Sequence, residues 1–182
     1  AAEAVVRENA DLAVCFDGDG DRAMFLDSRG KRVASDLITA LLAKEELKAN
    51  PGATIIYDLR SSRVLPEEIT KAGGTPVRER VGHAFIKQTM RNHNAVFGGE
   101  VSGHYYFRDH YFADSGMVAF AKVLDLLGKR SVSLEEMAAP LRRLHATGEV
   151  NFHIEDKEEM MNRMEKLFHD GQKDRLDGIT IA

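Results

Sequence analysis

Apolar and polar positions along this chain change period several times, and each change marks an element. Leu12 to Phe16 and Ala23 to Leu26 are two apolar runs of strand length, separated by the polar stretch Asp17-Gly18-Asp19-Gly20-Asp21-Arg22. Ahead of them Ala1 to Asn9 reads as the tail of a helix, an abrupt opening expected of a chain that begins inside a domain. Leu37, Ile38, Leu41 and Leu42 then recur at helical spacing, with Ser35 or Asp36 as N-cap and Asn50-Pro51-Gly52 as the stop. Ala53 to Tyr57 is a buried strand, and Asp58 to Arg63 is a polar loop that feeds a helix through Val64, Leu65 and Ile69 to Gly73-Gly74. Thr75 to Val81 predicts a strand, His83 to His93 a helix, and Ala95 to Phe97 a strand running into Gly98-Gly99-Glu100.

Tyr105 to Phe107 is a further short strand, and Asp114 or Ser115 caps a long apolar helix through Met117, Phe120 and Leu124 to Gly128. Ser133 and Glu136 have the spacing of a capping box for the helix that carries Met137 and Leu141, with Pro140 kinking or shortening it. After a linker, Gly148 to Ile154 alternates as a strand, and Asp156 caps an amphipathic helix with Met160, Met161, Met164, Leu167 and Phe168. Ile179 starts one more strand, which the end of the sequence cuts short. Strand and helix patterns alternate through the middle of the chain, so the expected fold class is α/β with a mixed, mostly parallel sheet. Ligands of such sheets gather beyond the carboxyl ends of the strands, where Arg60, His83 and Glu100 all fall.

Composition narrows the function classes. The 182 residues are 43% hydrophobic and 30% charged, ordinary material for a folded domain. A net charge of -4, with no basic stripe carrying interleaved aromatics, argues against nucleic acid. No apolar run approaches membrane-spanning length and no signal peptide opens the sequence, so no membrane is expected. The single cysteine, Cys15, lies in an apolar strand and has no intrachain partner, which predicts a buried structural thiol and a reducing, cytoplasmic compartment.

The loop at Asp17 to Arg22 carries the first candidate chemistry. Glycines alternate with Asp17, Asp19 and Asp21 and permit left-handed backbone angles, so three carboxylates can turn toward one point. At about 4 Å separation such carboxylates repel by roughly 4 kcal/mol per pair at an effective dielectric near 20, a cost that a divalent cation reverses. Oxygen-only ligands select a hard ion, magnesium before zinc. A calcium EF-hand does not fit: counting from Asp17, the glycine position is Arg22 and the closing glutamate position is Ser28. A solvated acidic turn with splayed carboxylates stays open, as does a phosphatase-type loop with Asp17 as nucleophile and Asp19 as acid. In Gly98-Gly99-Glu100-Val101-Ser102-Gly103-His104 the second constellation places Glu100, Ser102 and His104 at alternate positions. An extended loop points all three the same way. Acceptor, hydroxyl and imidazole suit a polyhydroxylated ligand, although a polar surface loop has the same composition.

Together, in this order, the Asp17-Gly18-Asp19-Gly20-Asp21-Arg22 and Gly99-Glu100-Val101-Ser102-Gly103-His104 loops resemble the α-D-phosphohexomutase superfamily, which carries a DGDGDR metal loop and a GExSGH sugar loop. The resemblance extends to Tyr57-Asp58-Leu59-Arg60-Ser61-Ser62-Arg63 and Gly82-His83-Ala84-Phe85-Ile86-Lys87, and is strongest toward the bacterial phosphomannomutase/phosphoglucomutase branch. It implies a multidomain enzyme that interconverts hexose 1- and 6-phosphates through a hexose bisphosphate, using a magnesium-dependent phosphoserine. The family's phosphoserine loop and late phosphate-binding loop are both missing from this sequence. By this comparison residues 1–29 end the second domain, 30–146 form a three-layer α/β/α third domain, and 147–182 begin the fourth. The chain's partners are then the other domains of the same protein, and alone it is expected to be inactive.

The resemblance also implies roles. Asp17, Asp19 and Asp21 hold Mg2+, and Arg22 reaches a phosphate. Glu100 and Ser102 meet hexose hydroxyls, and His104 is a ligand contact rather than a base. His83 is a candidate general acid/base, one turn before Lys87, which lies on the same helix face as electrostatic or substrate support. Arg60 stands where the family commonly has lysine; arginine cannot usefully lose its proton, so Arg60 acts in charge stabilisation by donating hydrogen bonds. His93, His110, His145, His153 and His169 share no metal-ligand spacing and receive no function. Two competing functions remain at this point, an aspartyl-nucleophile phosphatase and a non-catalytic cation- or sugar-binding module.

Overall fold

The two apolar runs around the acidic loop form a hairpin: β1 (Leu12–Phe16) pairs antiparallel with β2 (Ala23–Asp27), Phe16 opposite Ala23. In this computed structural model residues 1–130 and 132–182 are described. They fall into two units, residues 1–144 and residues 145–182. In the first, α1 (Ala2–Arg7) precedes the hairpin, and β3 (Arg32–Val33) adds to β2 to give the order β1-β2-β3. β2 alternates, with Ala23, Phe25 and Asp27 buried. β1 does not, and at its end Cys15 and Phe16 are exposed. The predicted buried thiol is therefore corrected: Cys15 lies on an edge strand, whose open side packs less.

α2 (Ser35–Ala49) buries Leu37, Ile38, Leu41 and Leu42 as their spacing predicts. Its N-cap is Ala34, not Ser35 or Asp36. Asp36 is instead held inside the helix, accepting from the Leu37 amide at 2.9 Å and the Ser62 amide at 3.0 Å. There follow β4 (Thr54–Asp58), α3 (Val64–Lys71), β5 (Thr75–Glu79), α4 (His83–His93), β6 (Phe97–Gly99), β7 (Tyr105–Phe107), β8 (Ala113–Asp114) and α5 (Gly116–Arg130).

One five-stranded sheet runs β5-β4-β6-β7-β8, parallel across β5-β4-β6 and antiparallel from β6 to β8. The pleat sorts successive residues into two cores. Ile55, Phe97, Tyr105 and Phe107 join Leu41, Leu65, Val123 and Leu134 on one face. Ile56 and Tyr106 join Ile86 and Met90 of α4 on the other. The result is the expected α/β/α three-layer architecture with a mixed sheet. α6 (Leu134–Ala138) starts on the predicted capping box, Ser133 Oγ accepting from the Glu136 amide at 3.2 Å. A 3-10 turn, Ala139–Leu141, follows it directly and contains Pro140.

The second unit has α7 (Lys157–Leu167), capped by Asp156 accepting from the Glu159 amide at 2.8 Å, and an antiparallel pair, β9 (Lys173–Asp174) with β10 (Thr180–Ile181). The strand predicted over 148–154 does not form. Its alternation is present in the sequence, but Val150 and Phe152 are exposed and no ladder forms along them. No helix among the described residues is long and apolar enough to cross a membrane.

Candidate active site

Asp17, Asp19 and Asp21 each offer a carboxylate oxygen, and these oxygens lie within 4.8 Å of one another. Arg22 closes the loop: its amide donates to Asp17 Oδ1 at 3.2 Å, and its Nε lies 2.6 Å from Asp17 Oδ2 and 3.7 Å from Asp21 Oδ1. Desolvation alone raises the Asp17 carboxyl, but the Arg22 amide and guanidinium outweigh it and hold the group below its ordinary value. Asp21 Oδ1 is buried and has no hydrogen-bond partner. An anionic oxygen placed out of water next to two more carboxylates suits a hard divalent cation, and the all-oxygen donor set fits magnesium.

The second loop is joined to the first through the backbone. The Ala23 amide donates to Gly103 O at 3.0 Å, and Arg22 and His104 face each other in an antiparallel bridge. The loop is a turn rather than the extended segment predicted. The Gly103 amide returns to Glu100 O at 3.0 Å, and Gly103 has φ +92, a value that glycine accepts without strain. The turn still gathers the three side chains. Ser102 Oγ lies 2.8 Å from His104 Nδ1 and 3.4 Å from Glu100 Oε2, and His104 Nε2 lies 3.5 Å from Asp21 Oδ2. Glu100 is buried, and the Tyr106 hydroxyl donates to its Oε1. Burial first, and then the Glu100 carboxylate, push the Tyr106 hydroxyl far above its usual range, so it stays a donor.

At the carboxyl end of β4, Asp58 is fully buried. It accepts from the Arg60 amide at 3.1 Å, Arg60 Nη2 at 2.8 Å, Ser61 Oγ at 3.2 Å and, across the sheet end, the Val101 amide at 3.0 Å. Arg60 thus stands between Asp58 and Glu100, whose Oε2 is 3.9 Å from its Nη2. Lys87 is not a free surface group: its Nζ lies 2.6 Å from Asp114 Oδ1. Asp114 in turn lies 4.0 Å from His104 Nε2. His83 is exposed at the first position of α4, directly after the loop that leaves β5.

Contacts therefore link Asp17, Asp21, Arg22, His104, Ser102, Glu100 and Arg60, with Asp19 beside them and Lys87 joined through Asp114. Three further members do not stand out in the sequence. Asp58 has one available signal, a carboxylate ending a strand of Ile-Ile-Tyr, where only a paired charge is stable. Asp114 reads there only as a helix cap. Tyr106 looks like one more apolar strand residue, and nothing in the sequence shows where its hydroxyl goes.

A family model described as phosphoglucomutase/phosphomannomutase, alpha/beta/alpha domain III matches residues 34–144. The phosphomannomutase of Methanocaldococcus jannaschii is 39% identical over 178 residues, which is 98% of this chain and 40% of that protein. The phosphomannomutase of Escherichia coli K12 is 40% identical over 182 residues, with the same shares, 98% and 40%. A crystal structure of a phosphoglucomutase/phosphomannomutase family protein from Burkholderia thailandensis matches with a TM-score of 0.87 at 29% identity, covering 99% of this chain and 39% of that one. The chain thus spans about 40% of the length of the curated relatives it matches. Both loops, the sheet that carries one of them, and a family model covering most of the sequence lead to one conclusion: the chain belongs to the phosphoglucomutase/phosphomannomutase family.

Proposed function

We propose that this chain is the cation- and hexose-binding part of a phosphohexomutase that interconverts hexose 1-phosphate and hexose 6-phosphate through a phosphoserine enzyme and a hexose bisphosphate. The observation that carries the proposal is the backbone bridge between Arg22 and His104, which fuses the acidic loop to the hexose loop. In this proposal residues 1–29 complete a second domain, 30–146 are the third, and 147–182 begin the fourth. The phosphoserine belongs to another part of the longer protein.

Asp17, Asp19 and Asp21 would hold Mg2+, which when bound supplies charge neutralisation for a phosphoryl group. Arg22 donates to phosphate oxygen. Glu100 and Ser102 orient hexose hydroxyls, and a sugar lacking a matching hydroxyl leaves these groups unpaired, which gives selectivity. His104 is a ligand contact. Arg60 and Lys87, each neutralised by a carboxylate at rest, supply positive charge at the rim of the hexose site. His83, an exposed imidazole at the start of α4, serves as general acid and base. A cytoplasmic setting belongs to the same proposal. The named relatives are mutases and lend no support to the phosphatase or binding-module alternatives.

Steady-state assays test this. The longer protein should convert mannose 1-phosphate and glucose 1-phosphate when supplied with magnesium and a hexose bisphosphate, whereas residues 1–182 alone should convert neither. Turnover by residues 1–182 alone, or none by the longer protein, overturns the proposal.

A further inference from the structure

α5 begins directly behind the acidic loop. The amide of Gly116, its first residue, donates to Gly20 O at 3.2 Å, the carbonyl between Asp19 and Asp21. Gly20 has φ +77, a left-handed backbone angle that glycine adopts without strain. A Cβ on Gly116 would stand 2.8 Å from Gly20 O and 2.7 Å from Arg22 O. Both are backbone atoms of the loop, so no side-chain rotation relieves the clash. The next first-turn groups close on Ser115, whose Oγ accepts from the Val118 amide at 3.2 Å and whose carbonyl accepts from the Ala119 amide at 3.1 Å. The Gly116 amide, which has no partner inside the fifteen-residue helix, is thereby committed to the loop.

We infer that Gly116 is a positioning residue for the acidic loop: its amide holds the Gly20 carbonyl and its missing Cβ leaves room for the Arg22 carbonyl, so it sets the backbone on either side of Asp21, and with it the direction of that carboxylate and its spacing from Asp19. The inference rests on the cation-binding role proposed above for its effect on affinity, but not for its effect on loop geometry. Gly128, in the same helix, serves as the control, because a Cβ added there would meet nothing within 4 Å.

NMR of the 182-residue chain tests the geometry without any variant, through a scalar coupling across the hydrogen bond from the Gly116 amide to the Gly20 carbonyl. That coupling should be present. In Gly116→Ala the Gly20 and Arg22 amides should shift and exchange faster, and calorimetric affinity for Mg2+ should fall about tenfold, as when a group supporting a metal ligand is lost. Gly128→Ala should change neither readout. Leu126→Val, a core truncation in the same helix, should lower the melting temperature but leave Mg2+ affinity unchanged. Absence of the coupling in the wild-type chain, or a Gly116→Ala variant that keeps wild-type shifts and exchange at Gly20 and Arg22, overturns the inference. A wild-type chain that shows the coupling yet binds no Mg2+ instead overturns the cation-binding role.

Discussion

A carboxylate as buried as Glu100 is stable only if both its oxygens are served, and the two are served differently. Oε2 faces Ser102 and Arg60, while Oε1 is held from the sheet by Tyr106. Tyr106 thus holds the oxygen that Ser102 and Arg60 do not. Tyr106→Phe keeps the ring packed on Ile86 and Met90 but leaves Oε1 without its donor. It should cost about 1–3 kcal/mol in urea unfolding of the 182-residue chain, the penalty for a buried acceptor left unpaired. An unchanged unfolding free energy would show that the hydroxyl does not support Glu100. At this scale the sequence discloses residues whose chemistry repeats at short spacing, such as Asp17, Asp19 and Asp21 or Glu100, Ser102 and His104. It conceals Asp58 and Asp114, because each works on a partner far away in the chain: Asp58 on the Val101 amide, Asp114 on Lys87.

Among elements, legibility follows length and local signal. α4 runs from His83 to His93 and β7 from Tyr105 to Phe107, as their patterns predict. β3, β8 and β9 are two residues each, too short to carry a period, and exist only because a neighbouring strand accepts their backbone groups. The converse case is 148–154, where a period is present but a neighbour is not. Elements are also tied by charges that no local pattern announces. Glu68, buried in α3, accepts from Lys44 of α2 at 2.7 Å, Arg143 beyond α6 at 2.7 Å and Lys71 at 3.2 Å. Lys44 first and Arg143 next pull its carboxyl down to about 2 from the ordinary value of 4.5, against the cost of burial. A depressed folded pKa means the contribution is present in full above 4.5 and lost as pH falls from there through about 2. Thermal unfolding of wild type and Glu68→Gln should thus differ at about pH 6 and converge between pH 4.5 and 2. Curves that stay parallel across that window would show that the cluster does not join α2, α3 and the segment after α6.

For the molecule as a whole, the two units differ in what holds each together. Residues 1–144 contain every buried residue of the two hydrophobic cores, layered on both faces of a five-stranded sheet. Residues 145–182 contain no buried side chain; Met164 and Leu167 of α7, and Phe168 just after it, are partly or largely exposed, and the unit's sheet is one pair of two-residue strands. A unit of under ~40 residues without a buried core or a disulfide lacks the apolar burial needed to offset chain entropy. Its hydrogen bonds should then open by local unfolding, while those of the larger unit open only with the whole. Native-state hydrogen exchange on the 182-residue chain should show the amides of Leu41 and Ile55 protected near the global unfolding free energy, and those of Met164 and Ile181 protected far less. Denaturant should leave exchange at Met164 and Ile181 almost unchanged, because little surface is exposed when they open, and should accelerate exchange at Leu41 and Ile55 steeply. Equal protection and equal denaturant sensitivity at all four positions would mean that residues 145–182 fold as part of one cooperative structure with the rest.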